Sequence, residues 1–162
     1  MTDGPDPTEQ SHWRPLRLLL NAMDDDIARL YDERGIKGVR PRFAMPLIRL
    51  GRAGAMTIQE LAASTDVTHS AMSQTVAALR REGLVTSEPG PDARTRQVVL
   101  TERAREIVPF LEAEWRATEA AVAELETEMP YPLTKAAEDL EAALARRSFH
   151  DRIVEQLKVF NT

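Results

Sequence analysis

Cysteine is absent from the 162-residue chain. That excludes disulfides, thiolate metal sites and thiol redox chemistry within it. Histidine is nearly absent: His12, His69 and His150 stand far apart, without the spacing of metal ligands, so no metal or other cofactor is expected. No apolar run approaches the roughly 20 residues of a membrane-spanning helix. The opening MTDGPDPTEQ is acidic and proline-bearing, unlike a secretory leader. Catalytic patterns are lacking too: there is no phosphate-binding glycine loop and no Ser/His/Asp spacing, and no enzyme is expected. These absences leave a soluble, cytoplasmic protein with no membrane partner as the expectation.

What remains is one domain, or one domain with an extension. The chain is 43% hydrophobic, much of it alanine, which suits a helical protein with modest cores. Its net charge of −5 argues at first against a polyanion as partner, but the distribution reverses that. Residues 36–105 hold 11 Lys and Arg against 6 Asp and Glu, while both flanks are acidic. A basic middle on an acidic scaffold suits a nucleic-acid face.

Apolar residues recur at helical spacing from Pro15 to Tyr31, and the pattern stops near Gly35 and Gly38. A second helix is expected from about Arg40 to Ala53, burying Phe43 and Leu47, with a kink in prospect at Pro46. Thr57 followed by Glu60 forms a capping-box pattern at the start of a short helix. A turn at 66–68 leads to a helix over 69–82, capped by Thr68, with Met72, Val76 and Leu79 as its buried stripe and Gly83 at its end. Short strands at 84–88 and 97–101 flank PGPDARTR, a hairpin turn rich in Gly and Pro. Thr101 caps a long helix with an expected kink at Pro109, Pro130-Tyr131-Pro132 breaks it, and a further helix and a last segment capped by Ser148 or Asp151 follow.

Helix, tight turn, helix and hairpin is the order of a winged helix-turn-helix. The second helix of such a pair lies in the DNA major groove. His69, Ser70, Ser73 and Gln74 face away from its buried stripe and carry groups that donate and accept toward bases and phosphates, with Thr68 beside them. An arginine at an exposed turn has no place in a core, whereas a guanidinium fits a narrow minor groove, which assigns Arg94 to the wing tip. Asp92 is expected to stabilise that turn, and Arg96 to pair with Asp92 or to touch phosphate. The first helix and the last two carry apolar stripes too long for the small core between them, which points to an interface with a second copy.

The run from Thr57 to Glu106 resembles the MarR family of bacterial transcriptional regulators. The most specific part is 92-DARTRQVVLTERA-104, similar to the family's wing of Asp-x-Arg-x-Arg, a short apolar strand, then Leu-Thr and an acidic residue. The stretch 60-ELAASTDVTHSAMSQTVAALRREGLV-85 is similar to its helix-turn-helix. The resemblance implies a fold that is mainly α with a small antiparallel β-hairpin wing. It divides the chain into a disordered tail at 1–12, a helical dimerisation region at 13–38 and 106–162, and a winged helix-turn-helix DNA-binding region at 39–105. It also implies a homodimeric repressor on a pseudo-palindromic operator in double-stranded DNA, released by a small aromatic or anionic effector.

Carried over by residue, Arg94 is the minor-groove arginine, Asp92 its turn partner, and Ser70, Ser73 and Gln74 the contacts of the recognition helix. Gln74 departs from the arginine frequent in the family, and glutamine pairs most naturally with adenine. The effector pocket that the resemblance implies lies between dimer helices and DNA-binding lobe; Trp13, Arg40, Phe43 and Trp115 are its candidates here. A competing reading is a winged-helix adaptor that binds protein, has lost operator binding, and uses its acidic flanks as partner surfaces.

Overall fold

The computed structural model describes residues 6–92 and 95–160. A 3-10 turn at Pro7–Glu9, capped by the Asp6 carboxylate, lies within the segment expected as a tail. Seven helices and one hairpin follow among the described residues: α1 (Arg14–Glu33), α2 (Pro41–Ala53), α3 (Ile58–Ser64), α4 (His69–Arg81), β1 (Val85–Pro89), β2 (Arg96–Leu100), α5 (Glu102–Thr127), α6 (Leu133–Arg146) and α7 (Phe149–Phe160). None of the helices is long and apolar enough to cross a membrane. The fold is mainly α with a two-stranded antiparallel hairpin, as the sequence predicts. The chain divides into two compact units, Met1–Glu114 and Trp115–Thr162.

The first unit owns the core. Tyr31 from α1, Phe43 and Leu47 from α2, Leu61 from α3, Val76 and Leu79 from α4, Val98 from β2 and Leu111 from α5 are fully buried. Each large apolar side chain so removed from water contributes roughly 1.5–3 kcal/mol before entropy is counted. Helix α2 opens on Pro41, whose missing N–H falls where no helical partner exists, and it continues through Pro46. Helix α5 likewise continues through Pro109. Both prolines thus lie within helices that run on past them. Gly83 ends α4 at φ +69°, a conformation that side chains resist, and lets the Leu84 N–H reach back to the Leu79 carbonyl at 2.9 Å.

Polar contacts tie α5 to the rest of this unit. The Tyr31 hydroxyl, buried on α1, donates to Glu114 Oε2 at 2.9 Å. Its ring meets Phe110 edge-on, centroids 6.1 Å apart. Arg103, in the first turn of α5, donates to the Glu82 carbonyl at 2.6 Å and to the Lys37 carbonyl, joining the end of α4 to the loop after α1. Arg52 of α2 pairs with Glu112 of α5 at 2.7 Å.

The second unit is built differently. Glu126 accepts from the Thr134 N–H at 2.8 Å and from its hydroxyl at 2.7 Å, so a carboxylate from α5 caps α6 where Pro132 supplies no side-chain cap. Those bonds, the hydroxyl's first, hold the Glu126 carboxyl below the usual carboxylate range. Ser148 caps α7 through the Asp151 N–H at 3.1 Å, as the sequence suggests. Arg152 donates to the Ala143 carbonyl at 3.0 Å, fastening α7 to α6. No described residue of this unit is buried. Leu140, Leu144, Phe149, Ile153, Leu157 and Phe160 all stand exposed, Phe160 at 80%.

Burial, then the neighbouring Glu114 charge, pushes the Tyr31 hydroxyl well above the usual phenol range. The folded chain thus holds the neutral phenol, while the unfolded chain ionises it near pH 10. The contribution is complete below that pH and is lost progressively above it, as pH climbs toward the folded-state value. Tyr31→Phe is expected to destabilise the fold by about 1–2 kcal/mol at neutral pH, since Glu114 loses a buried donor. In urea unfolding, stability should also fall less steeply above pH 10 in the variant than in the parent.

Candidate nucleic-acid interface

The helix pair is set by its caps. The Thr57 N–H donates to Glu60 Oε2 at 2.7 Å and the Glu60 N–H donates back to Thr57 Oγ1 at 3.2 Å, which is the reciprocal box read from the sequence. The Thr57 N–H, and after it the Thr57 hydroxyl donating to the same oxygen at 2.9 Å, hold the Glu60 carboxyl below its usual range. The turn closes through the Thr65 hydroxyl on the Leu61 carbonyl at 2.9 Å and the Val67 N–H on the Ala62 carbonyl at 3.2 Å. Asp66 takes φ +54° at its apex, a conformation that Asp tolerates better than most residues. Thr68 then accepts from the Ala71 N–H at 3.2 Å and starts α4.

Helix α4 has two unlike faces. Met72, Val76, Ala78 and Leu79 are buried. His69, Ser70 and Gln74 are exposed, and Ser73 is half-buried at the edge between the faces. The side chains of these four make no hydrogen bond to a described residue, so their donors and acceptors are available. The Thr68 oxygen serves the cap, and its hydroxyl proton stays free to donate to an outside partner.

The wing is a ladder from Val85↔Leu100 to Pro89↔Arg96. Both strands sit one residue from the predicted bounds: Leu84 closes the end of α4, and Thr101 is taken up in capping α5 through the Ala104 N–H at 3.2 Å. The ladder therefore reaches further toward the tip. Its base is pinned by the Thr101 hydroxyl on the Gly83 carbonyl at 2.9 Å. A bridge between Met56 and Val98 adds a third, one-residue strand on the other side of β2, and one residue leaves no periodicity to detect.

At the tip, the Gly90 N–H meets the Thr95 carbonyl at 2.9 Å. The Thr95 N–H and hydroxyl both reach the Asp92 carbonyl, at 2.9 and 2.8 Å. Asp92 thus serves the turn through its main chain. Gly90 is required there, because a Cβ would collide with the Thr95 hydroxyl. Arg96, expected to face Asp92 or phosphate, lies along β1 instead: Nε is 3.3 Å from Ser87 Oγ and Nη2 is 3.1 Å from the Ser87 carbonyl. Its planar fork fits two acceptors on the neighbouring strand, so it braces the wing. Arg94 lies outside the described residues.

The four candidates for an effector pocket lie in different parts of the chain. Phe43 is fully buried in the core, with the Arg40 and Arg42 guanidiniums 6.0 and 5.3 Å from its ring centroid. Trp13 is 55% exposed at the start of α1, and Trp115, half-buried, belongs to the second unit. None of the four lines a cavity of about 370 Å³ bounded by Leu50, Val99, Leu100, Arg105, Val108 and Pro109. Sequence reasoning also missed Arg103 and the Tyr31–Glu114 pair, whose partners lie 66 and 83 residues away and carry no local signal.

The family model described as MarR family matches residues 47–94. No curated protein matches the sequence closely enough to count as a relative. Among solved structures, a MarR family transcriptional regulator from Silicibacter pomeroyi is 27% identical, with a TM-score of 0.50 over 80% of this chain and 93% of that one. MepR from S. aureus, solved with DNA, is 16% identical, with a TM-score of 0.58 over 85% and 95% of the two chains. The M. tuberculosis transcriptional regulator MOSR, also solved with DNA, is 20% identical, with a TM-score of 0.57 over 85% and 99%. The resemblance read from residues 57–106 is matched by the family model up to residue 94, and the fold is that of winged-helix MarR regulators.

Removing the Arg96 brace should loosen the wing without unfolding the protein. Arg96→Ala is expected to speed amide hydrogen exchange in 85–89 and 96–100 while lowering global stability by no more than about 1 kcal/mol. Unchanged exchange in the hairpin would remove the bracing assignment.

Proposed function

We propose that this chain, a winged-helix protein of the MarR kind, is a sequence-specific DNA-binding transcriptional regulator. The observation that carries the reading is the outer face of α4, polar and unpartnered among the described residues, beside a braced hairpin. A helix of this width fits the major groove, and a hairpin tip bearing Arg94 suits the adjoining minor groove. Residues 39–105 form the DNA-reading region in this proposal. His69, Ser70, Ser73 and Gln74 contact bases and phosphates, with the Thr68 hydroxyl and Arg94 beside them. Arg96 and Asp92 hold the wing in shape.

The acting unit is a homodimer. The second unit has no buried described residue, and α1 exposes Leu18, Leu19 and Leu20 as well. Apolar surface on that scale calls for a partner, and a two-fold copy is the commonest answer. Residues 13–38 and 106–162 supply that interface, and a two-fold dimer matches a pseudo-palindromic operator with half-sites about one helical turn apart. In this reading the dimer represses until a small aromatic or anionic effector releases it.

The test is selection of duplexes from a random pool by the full-length chain, with sedimentation equilibrium for the assembly. A symmetric site and a dimer mass are expected. Operator affinity should fall by at least about tenfold between roughly 50 and 200 mM salt, as counterions are released. Arg94→Ala should weaken binding by about tenfold with an unchanged circular dichroism spectrum. A monomer, or affinity indifferent to both salt and Arg94, would refute the proposal.

A further inference from the structure

The outer surface of α4 extends beyond the residues that sequence reasoning singled out. At 3.6 residues per turn, the side opposite Met72, Val76 and Leu79 is a single row: Ser70, Gln74, Ala77 and Arg81. All four are exposed. Gln74 sits inside the row between two small side chains, and its amide makes no hydrogen bond to a described residue. Thr75, the polar neighbour that would compete with it, is turned back onto the Ala71 carbonyl at 3.1 Å. Arg81 ends the row in the last turn of α4 and makes no ion pair with a described residue.

We infer that α4 reads an A·T pair inside each half-site, Gln74 holding the adenine while Ala77 receives a thymine methyl from the next pair. This rests on the reading of α4 as the helix that enters the major groove. Adenine presents there an acceptor, N7, beside a donor, the N6 amino group. A carboxamide offers the complementary donor and acceptor in one plane. Guanine presents two acceptors, N7 and O6, and suits the paired donors of arginine instead. With Ser70 and Ala77 on either side, nothing bulky holds the helix off the base edges.

From Gln74 to Ala77 the helix advances about 4.5 Å, close to one base-pair step of about 3.4 Å. Ala77 offers only a methyl group, and thymine is the one base with a methyl on its major-groove edge. From Ser70 to Arg81 the row spans about 16 Å, or roughly five base pairs. Arg81 therefore falls at the end of the half-site, where a guanidinium meets the phosphate backbone rather than a base.

The test starts from the duplex selected by the full-length chain and uses fluorescence anisotropy at fixed salt. The probes are that duplex, the same duplex with the A·T pair changed to G·C, one with 7-deazaadenine in place of the adenine, and one with uracil in place of the neighbouring thymine. The parent protein should lose about tenfold in affinity on the change to G·C and a smaller factor on 7-deazaadenine. Gln74→Ala, folded by circular dichroism, should bind more weakly and no longer distinguish those three duplexes. Uracil should weaken the parent a few-fold and leave Ala77→Ser unaffected. A symmetric site without a fixed A·T pair in its half-sites, or an adenine preference that survives Gln74→Ala, overturns this inference while DNA reading stands. A parent indifferent to uracil overturns the assignment to Ala77. A pool with nothing enriched overturns both this inference and the proposal beneath it.

Discussion

Met72, Val76 and Leu79 fix the rotation of α4 about its own axis, and the reading of DNA proposed for this protein depends on that rotation. A helix turned by one residue moves every side chain through about 100° and would bring Ser73 or Thr75 outward in place of Gln74. Burying three apolar groups from one stripe makes such a turn costly, because each would enter water. The caps supply the other constraint. Thr57 and Glu60 start α3, Asp66 reverses the chain, and Thr68 starts α4, so the axis is aimed as firmly as the face is set.

Most of this arrangement was legible in the sequence because it is local. The capping box spans four residues, the stripe on α4 recurs every three or four, and Gly83 follows the helix it ends. Such signals lie within one or two turns of the residue they explain. Long-range polar contacts were not legible. Tyr31 reads as one more apolar position on α1, and nothing near it announces a carboxylate 83 residues later. Arg96 shows the same limit within the wing. Its charge suggested phosphate, but register decides its partner, and a ladder extended by one residue laid it along Ser87. Pocket candidates are hard to read for another reason: an aromatic residue at helical spacing looks alike whether it lines a cavity or, as Phe43 does, fills the core.

The two units contrast in how they meet water. The first closes a core from five helices and the hairpin, with α5 held by Tyr31, Arg103 and Arg52. The second is held within itself by caps and short polar links such as Glu126 to Thr134 and Arg152 to Ala143, while its leucines and phenylalanines stay outside. Caps and links of this kind order helices but bury little apolar surface. The proposed dimer answers that imbalance, since a second copy supplies the burial that one chain lacks.

Pro89 has a consequence apart from DNA. The hairpin is a two-stranded sheet whose β2 is flanked by β1 and by Met56, which leaves β1 as an open margin. Such a margin invites further strands from other molecules and, with them, fibrous association. A proline in β1 has no N–H to offer a newcomer, and the exposed carboxylate of Glu88 beside it repels another copy of the same strand. The wing can therefore project into solvent at the concentrations of a crowded cell without seeding aggregates of itself.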